Sequence, residues 1–306
     1  MRETDSAIQH LVATVSLIAL VGVFFASQQF FVGRALVPET PEAARDPFDG
    51  VRVAAKAAVV YDTRTGEQLF AKNEEVQLPL ASLTKLMTAL IALERLDRDA
   101  EVVIGKKSIL IEGDSGFKAG ERWDLKKLVE FTLITSSNDG AHALAAAASA
   151  VGETEFAREM SERSQALGMA QTYFVNSTGL DQGTASGGYG SARDVAVLLS
   201  YILRAHPEVL DGTAEEKIAL KSASKVYTAK NTNTTVGSVP GLIGSKTGFT
   251  DLAGGNLAIA FDAGLNHPVV VVALGSTANG RFDDVLILAA LAREKVAARA
   301  SASLAL

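Results

Sequence analysis

The chain contains 306 residues, roughly twice the length of an average domain, so it has room for one large domain or two small ones. Apolar residues make up 48% and charged residues 21%, which is typical of a globular chain with a sizeable core. The net charge of −6 provides no general attraction to a phosphate backbone and argues against nucleic-acid binding. The absence of cysteine excludes disulfides and thiolate nucleophiles. Four histidines without an HExxH motif disfavour a zinc hydrolase, and we expect no metal and no cofactor.

An apolar segment without charge runs from Leu11 to Ala26 and, with Phe30–Val32, brings the total to about 22 residues. A helix of ~20 mostly apolar residues can cross a bilayer. The start MRETDS is less basic than that of a usual signal peptide, although residues 33–35 offer a small-x-small cleavage site. We therefore expect residues 1–34 to be a membrane anchor or, alternatively, a cleaved signal segment. Both would carry the rest of the chain across the membrane.

The rest of the chain divides into a linker and a mixed body. Residues 35–50 carry three prolines among acidic and small residues and are predicted to form the linker. Strand patterns lie at both ends of the body: a hairpin over 53–71 and, from Lys246 onward, β-rich runs followed by a helix from Arg281 to about Val296. Helices are predicted between them, over 83–96, over 125–134, after Asn138, and from Ser191, whose spacing to Asp194 is that of a capping box.

This order of elements predicts an α+β fold. The two chain ends would form one antiparallel sheet flanked by helices, with a helical subdomain inserted between them. No proline-rich seam divides residues 51–300, so we expect one body over that range. The last ten residues, AARASASLAL, are low in complexity, and we expect a frayed tail over 301–306. The glycine-rich stretch Gly183–Gly190 is expected on the surface.

A serine and a lysine lie one helical turn apart in Ser82-Leu-Thr-Lys85, where an apolar run begins. If a helix begins here, the amine comes within reach of the hydroxyl. A serine nucleophile needs a base, and no histidine stands in a Ser–His–Asp setting. A lysine could be that base if burial or a second cation lowered its pKa from about 10.4. In isolation, the spacing is equally that of a helix N-cap followed by a solvated lysine.

Ser136 and Asn138 fall between two predicted helices, where they could simply cap a helix. In the functional interpretation, Ser136 relays a proton between Lys85 and a leaving group, and the amide of Asn138 holds a substrate carbonyl.

Lys246-Thr247-Gly248 lies at the predicted start of the C-terminal strands. It lacks the glycines that a phosphate-binding loop requires. At a cleft edge, Lys246 and Thr247 would offer a cation and a hydroxyl to an anionic substrate end. Gly248 would let the backbone come close, so that the amide of Phe249 can face an oxyanion.

The three motifs form an ordered set: SxxK, SxN 54 residues later and KTG 110 residues after that. With the longer strings SLTKLMTAL, SSNDGAHALA and GSKTGFTDLAGGNLA, they make residues 50–300 resemble the penicillin-binding serine D-alanyl-D-alanine carboxypeptidases. The resemblance implies a β-lactamase/transpeptidase-like fold and a penicillin-binding catalytic domain over 51–300. It also implies peptidoglycan stem peptides as substrates and β-lactam antibiotics as acylating inhibitors.

The resemblance also implies the catalytic roles. Ser82 attacks the carbonyl of the penultimate D-Ala and forms an acyl-enzyme. Lys85 is the general base, with its pKa lowered by Lys246 and the apolar wall, and Ser136 links Lys85 to the leaving amine.

The binding roles follow in the same way. Asn138 orients the peptide, and Lys246 and Thr247 receive the terminal carboxylate of the substrate. The backbone N–H groups of Ser82 and of Phe249, which follows Gly248, form the oxyanion hole.

Many members of this family add a small β-rich domain and a C-terminal membrane anchor. Here about 50 residues follow Gly255, enough for two strands and a helix. We therefore expect the N-terminal segment to replace that anchor. The catalytic domain would then face the extracytoplasmic side of the membrane, or be secreted or periplasmic after cleavage.

Three alternatives stay open. A D,D-endopeptidase that cleaves cross-links would use the same active-site residues. A class A-like β-lactamase shares the three motifs, but the stretch GETEFAREMSERSQALG lacks an E-x-x-L-N sequence. A non-catalytic anchored binding protein is the third alternative, and the intact motifs argue against it.

Overall fold

The computed structural model describes residues 45–149, 151–264 and 266–304. The largest sheet within these residues has five antiparallel strands. Within those residues the strands are β1 (Ala57–Asp62), β2 (Gln68–Lys72), β3 (Leu78–Pro79), β4 (Glu101–Val103), β5 (Arg122–Asp124), β6 (Tyr173–Phe174), β7 (Gly188–Gly190), β8 (Lys217–Lys221), β9 (Val226–Lys230), β10 (Leu242–Thr250), β11 (Gly254–Asp262) and β12 (Pro268–Ser276). The α-helices of the same residues are α1 (Thr84–Arg95), α2 (Leu125–Thr135), α3 (Asn138–Ala148), α4 (Glu153–Ala166), α5 (Ala192–Ala205) and α6 (Gly280–Leu304).

The strand order of the main sheet is β10-β11-β12-β1-β2. The central pair joins the two ends of the body, because β1 lies antiparallel to β12 with Val59 opposite Val272. The sequence prediction of one antiparallel sheet built from both chain ends is therefore confirmed, as are the hairpin and the helical middle.

Alternation along β12 separates two hydrophobic layers. Val270, Val272 and Leu274 face the core that contains the helical middle, whereas Val269 and Val271 face a second core with α6. Successive side chains of a strand point to opposite faces, so a run of β-branched residues can fill both cores at once. The sheet is consequently covered on both faces.

The predicted capping box before α5 forms only in part. Ser191 Oγ accepts from the amide of Asp194 at 3.1 Å. The Asp194 carboxylate instead accepts from Gln171 N at 2.7 Å and from Thr172 Oγ1 at 2.8 Å. The carboxylate thus fastens a neighbouring loop to the helix start.

Two small two-stranded antiparallel sheets, β4–β5 and β8–β9, were not predicted from the sequence. The strands of the first are three residues long, too short to display a period. The first of the three C-terminal strands, β10, begins at Leu242, so Lys246 lies inside this strand and not at its start.

The predicted frayed tail is wrong for the described part of the C-terminus, because α6 continues to Leu304. The Arg299 guanidinium makes two hydrogen bonds of 2.7 Å to the Glu67 carboxylate, which ties the last turns to the β1–β2 hairpin. The predicted surface position of Gly183–Gly190 is also wrong for its second half, since Gly188 is buried beside Thr84 and Phe174.

The predicted anchor over 1–34 and most of the predicted linker over 35–50 lie outside the described residues. Among the residues that are described, none of the helices combines the length and apolar character that a bilayer span requires. At the end of the linker range, Phe48 is buried and stacks on Phe70, with the ring centroids 5.4 Å apart.

Candidate active site

Ser82 lies in a short 3₁₀ turn, Ala81–Leu83, that leads directly into α1. Ala81 adopts a left-handed conformation with φ +48°, which is sparsely populated for a residue with a side chain. Two surrounding segments hold the turn in place. The amide of Leu80 donates to Gly188 O at 2.9 Å, and Gly179, with φ +81°, packs so closely that a Cβ there would overlap the Ala81 carbonyl.

Lys85 is fully buried on α1, one turn beyond Ser82. Its Nζ lies 2.8 Å from Ser82 Oγ and donates to Asn138 Oδ1 at 2.7 Å and to Thr178 O at 2.6 Å. Burial disfavours the charged form and lowers the pKa of Lys85 to about 7. The amine can therefore be neutral near neutral pH while it contacts the serine hydroxyl.

The turn between α2 and α3 presents Ser136 and Asn138 to the site. Ser136 ends α2 in a left-handed conformation with φ +59°. Ser137 caps α3, because its Oγ accepts from Gly140 N at 2.9 Å. The helix-capping role that the sequence allowed for Ser136 or Asn138 thus belongs to Ser137, which lies between them. The side chain of Asn138 is held by Glu112, whose carbonyl accepts from Nδ2 at 2.7 Å.

Lys246 is the second buried lysine of the site. Its Nζ donates to Ser136 Oγ at 2.8 Å and to Thr247 O at 2.7 Å. Burial, and then the nearby charges of Lys85 and Arg281, hold the pKa of Lys246 well below its usual value. The resemblance implied that Lys246 helps to lower the pKa of Lys85, whereas burial is the cause. Ser136 bonds Lys246 and not Lys85.

The strand β10 approaches the nucleophile turn at Gly248. A Cβ at this position would lie 2.8 Å from Leu80 O and 3.2 Å from Ser82 N, so only glycine permits this spacing. The backbone of the next residue, Phe249, therefore borders the cleft, and its side chain is half exposed. On the same strand, Thr247 Oγ1 lies 2.6 Å from Thr232 Oγ1.

Ser82 contacts Lys85, which contacts Asn138, and Gly248 packs against Ser82 next to Lys246, which bonds Ser136. Two further groups at this site, the Thr178 carbonyl and Arg281, were not predicted from the sequence. The acceptor at Thr178 is the main-chain carbonyl, so the residue type at this position does not indicate its role. Arg281, partly buried at the start of α6, donates from Nη1 to Gly248 O at 2.6 Å. A cation in the first turn of a helix is electrostatically unfavourable, and that signal could have drawn attention to Arg281.

The chain belongs to the peptidase S11 family, described as D-alanyl-D-alanine carboxypeptidase, whose model matches residues 40–278. Members of this family are serine peptidases, which are hydrolases. The resemblance drawn from the SxxK, SxN and KTG motifs is confirmed.

Individual relatives agree with this family. The D-alanyl-D-alanine carboxypeptidase DacF of Bacillus subtilis is 32% identical over 234 residues, which are 74% of this chain and 59% of DacF. The D-alanyl-D-alanine endopeptidase of Pseudomonas aeruginosa is 30% identical over 244 residues, which are 78% of this chain and 76% of that protein. The chain therefore spans less than two thirds of the Bacillus protein.

Among solved structures, penicillin-binding protein D2 from Listeria monocytogenes in its cefotaxime-bound form has a TM-score of 0.69 and 30% identity. The match covers 79% of this chain and 98% of the Listeria chain. The predicted fold class, an α+β transpeptidase-like fold, is confirmed.

Proposed function

We propose that this chain is a serine D-alanyl-D-alanine carboxypeptidase that removes the terminal D-Ala from peptidoglycan stem peptides through an acyl-enzyme at Ser82. One observation carries the proposal: a fully buried amine, Lys85 Nζ, lies 2.8 Å from the Ser82 hydroxyl, and its pKa is lowered to about 7. An ordinary helical lysine would be solvated and charged, and it would be no base at neutral pH.

In the acylation step, neutral Lys85 accepts the Ser82 proton as Oγ attacks the carbonyl carbon of the penultimate D-Ala. The negative charge that develops on the carbonyl oxygen faces the N–H groups of Ser82 and Phe249. The close approach of β10 at Gly248 supports this oxyanion hole. Asn138, partly accessible beside Lys85, orients the peptide.

The leaving group receives the proton that Lys85 took from Ser82. It passes through the hydroxyl of Ser136, which bonds Lys246 before substrate binds and turns toward Lys85 and the leaving amine during the reaction. The amide bond to the terminal D-Ala breaks, and the amine of D-Ala takes up this proton. The terminal carboxylate is bound by Lys246, Thr247 and the neighbouring Arg281. A carboxylate at this position would favour the charged form of Lys246, whose pKa is depressed in its absence. Water then hydrolyses the ester at Ser82.

A D,D-endopeptidase is the second candidate, and the Pseudomonas relative favours it specifically. The same chemistry would act on a cross-link whose leaving amine belongs to another stem peptide. β-lactams would acylate Ser82 in either case. The apolar segment over 11–32 supports action on the extracytoplasmic side of a membrane, with residues 1–34 as an anchor or as an export signal.

Labelling with a fluorescent penicillin tests the nucleophile. We expect about one label per chain at Ser82, and none on Ser82→Ala. A wild-type protein that takes no label would refute the proposal. Digestion of purified cell-wall peptides then separates the two activities: released D-Ala indicates a carboxypeptidase, and loss of cross-linked dimers indicates an endopeptidase.

A further inference from the structure

The carboxylate of Glu153, in the first turn of α4, holds one residue of the neighbouring loop by two hydrogen bonds. Its Oε1 accepts from Ser177 N at 2.7 Å and from Ser177 Oγ at 2.6 Å. Ser177 is fully buried. A carboxylate oxygen that accepts two such bonds fixes the position of the main chain more firmly than a neutral acceptor would.

The same loop segment is held on its other side by α1. The Ser177 carbonyl accepts from Thr88 Oγ1 at 2.6 Å, and the next carbonyl, that of Thr178, accepts from Lys85 Nζ at 2.6 Å. Thr88 and Lys85 lie one turn apart on α1. The two consecutive residues Ser177 and Thr178 are thus clamped between α1 and Glu153.

This clamp matters because of the hydrogen-bonding capacity of a neutral amine. Neutral Lys85 has two N–H donors and one lone pair. Thr178 O and Asn138 Oδ1 accept the two N–H bonds, at 2.6 and 2.7 Å, so the lone pair is directed at Ser82 Oγ, 2.8 Å away. If the Thr178 carbonyl moved away, an N–H could rotate toward Ser82, and the amine would no longer be oriented to accept its proton.

Glu153 also lies close to the helix that carries the other acceptor. Its Oε2 is 3.7 Å from Nε2 of His142, which stands one turn after Asn138 on α3. Ser108 Oγ lies 3.0 Å from the other ring nitrogen of His142. These contacts border a cleft of about 300 Å³ that also includes Glu112 and Thr178 among its lining residues.

We infer that Glu153 is a positioning residue for the general base: it holds Ser177, and through this residue the carbonyl of Thr178, so that the lone pair of Lys85 points at Ser82. Glu153 acts through these two residues and does not touch the reacting atoms. The inference rests on the proposed function, because it assigns a role to Glu153 only if Lys85 is the base.

The test compares Glu153→Ala with Glu153→Gln in the full chain. The rate of penicillin acylation is measured as a function of penicillin concentration, which separates the non-covalent affinity from the acylation rate constant. Each rate is divided by the fraction of protein that is labelled at the end of the reaction, so that unfolded protein does not count. We expect Glu153→Ala to lower the rate constant roughly 100-fold with unchanged affinity, as for a misplaced catalytic group. Glu153→Gln keeps a neutral acceptor oxygen for both Ser177 donors and should lose far less of the rate constant than Glu153→Ala.

Glu155→Ala is the matched control, since Glu155 lies in the same helical turn but pairs with Arg158 on the surface. It should leave acylation unchanged. Should Glu153→Ala not fold, Ser177→Ala removes only the hydroxyl half of the contact and should slow acylation to a smaller extent.

Three outcomes would overturn the inference. Acylation by Glu153→Ala and Ser177→Ala at the wild-type rate per labelled site would show that the clamp is dispensable. If Glu153→Gln were as slow as Glu153→Ala, either in acylation or in release of the label, the role would belong to the negative charge of Glu153 and not to positioning. A loss confined to affinity would place Glu153 in binding. Absence of label on the wild type would instead refute the proposed function itself.

Discussion

The two buried lysines differ in their hydrogen-bond partners, and this difference separates their roles at the residue scale. Lys85 Nζ contacts the side chains of Ser82 and Asn138, whereas Lys246 Nζ contacts Ser136. Two ammonium groups in one buried site would repel each other strongly, so only one is readily charged. Without substrate, the charge of Lys85 helps to hold the pKa of Lys246 well below its usual value. In the proposed function, the bound carboxylate of the substrate favours the charged form of Lys246, and this cation then favours the neutral form of Lys85.

The pH dependence of acylation follows from Lys85. Its pKa is lowered to about 7, and the neutral form is the base. The acylation rate should therefore rise with pH through about 7 and level off above it, with about a tenfold fall per pH unit on the acid side. The second-order rate constant of penicillin labelling between about pH 5.5 and 9 measures this.

Lys85→Arg serves as the control for that profile. An arginine side chain stays protonated and cannot accept the Ser82 proton, so acylation should be lost at every pH. A wild-type profile that is flat across the range would argue against Lys85 as the base.

At the scale of elements, the position of Ser82 depends on loops packed against the turn before α1. The turn contains Ala81 in a left-handed conformation, and Gly179 fits against its carbonyl. A residue in such a conformation persists only when its surroundings hold it. The loop that includes Gly179 thus determines where the nucleophile lies.

Gly179→Ala should displace this turn. A Cβ would overlap the Ala81 carbonyl, and φ +81° is strained for alanine. We expect a loss of about 2–3 kcal/mol of unfolding free energy together with slower acylation. Urea unfolding and penicillin labelling measure the two effects.

Gly183→Ala is the matched control, because Gly183 has φ +62° but nothing within 4 Å of a Cβ. It should cost only the backbone strain, about 1 kcal/mol, and leave acylation intact. Equal effects of the two substitutions would show that the overlap at Gly179 is relieved without moving Ser82.

At the scale of the whole molecule, Asp284 on α6 joins the two ends of the body. Its buried carboxylate accepts from Ala54 N at 2.6 Å, from Ala55 N at 2.8 Å and from Ser276 Oγ at 2.6 Å. Ala54 and Ala55 precede β1, and Ser276 ends β12, so one side chain of α6 links the start of the body to its C-terminal strand.

Asp284→Ala should leave these donors without their acceptor and destabilise the fold by about 2–4 kcal/mol. The hydrogen bonds of Asp284 go to groups outside the site, although Arg281 lies one turn before it on α6. We therefore expect acylation per folded molecule to change much less than the stability. Thermal unfolding followed by labelling at low temperature measures both quantities. Reduced acylation in the folded fraction would show that this link also shapes the cleft.

The secondary structure was predictable where a pattern is long. The five residues Val269–Ala273 alternate between two cores, and such β-branched runs are recognisable as a strand. The two-stranded sheet β4–β5 and the continuation of α6 past Val296 were not predicted. The first is too short to show a period, and the second depends on the contact of Arg299 with Glu67 across the sheet edge.

The sequence by itself determined the family, the antiparallel sheet built from both chain ends, and which side chains carry chemistry, because motifs and hydrophobic period are local properties. Only the tertiary structure decided how those groups pair. Ser136 meets Lys246 across 110 residues of chain, and Lys85 meets a main-chain carbonyl at Thr178. Such contacts arise from packing between distant segments, and the burial that lowers the pKa of Lys85 exists only once those segments close around it.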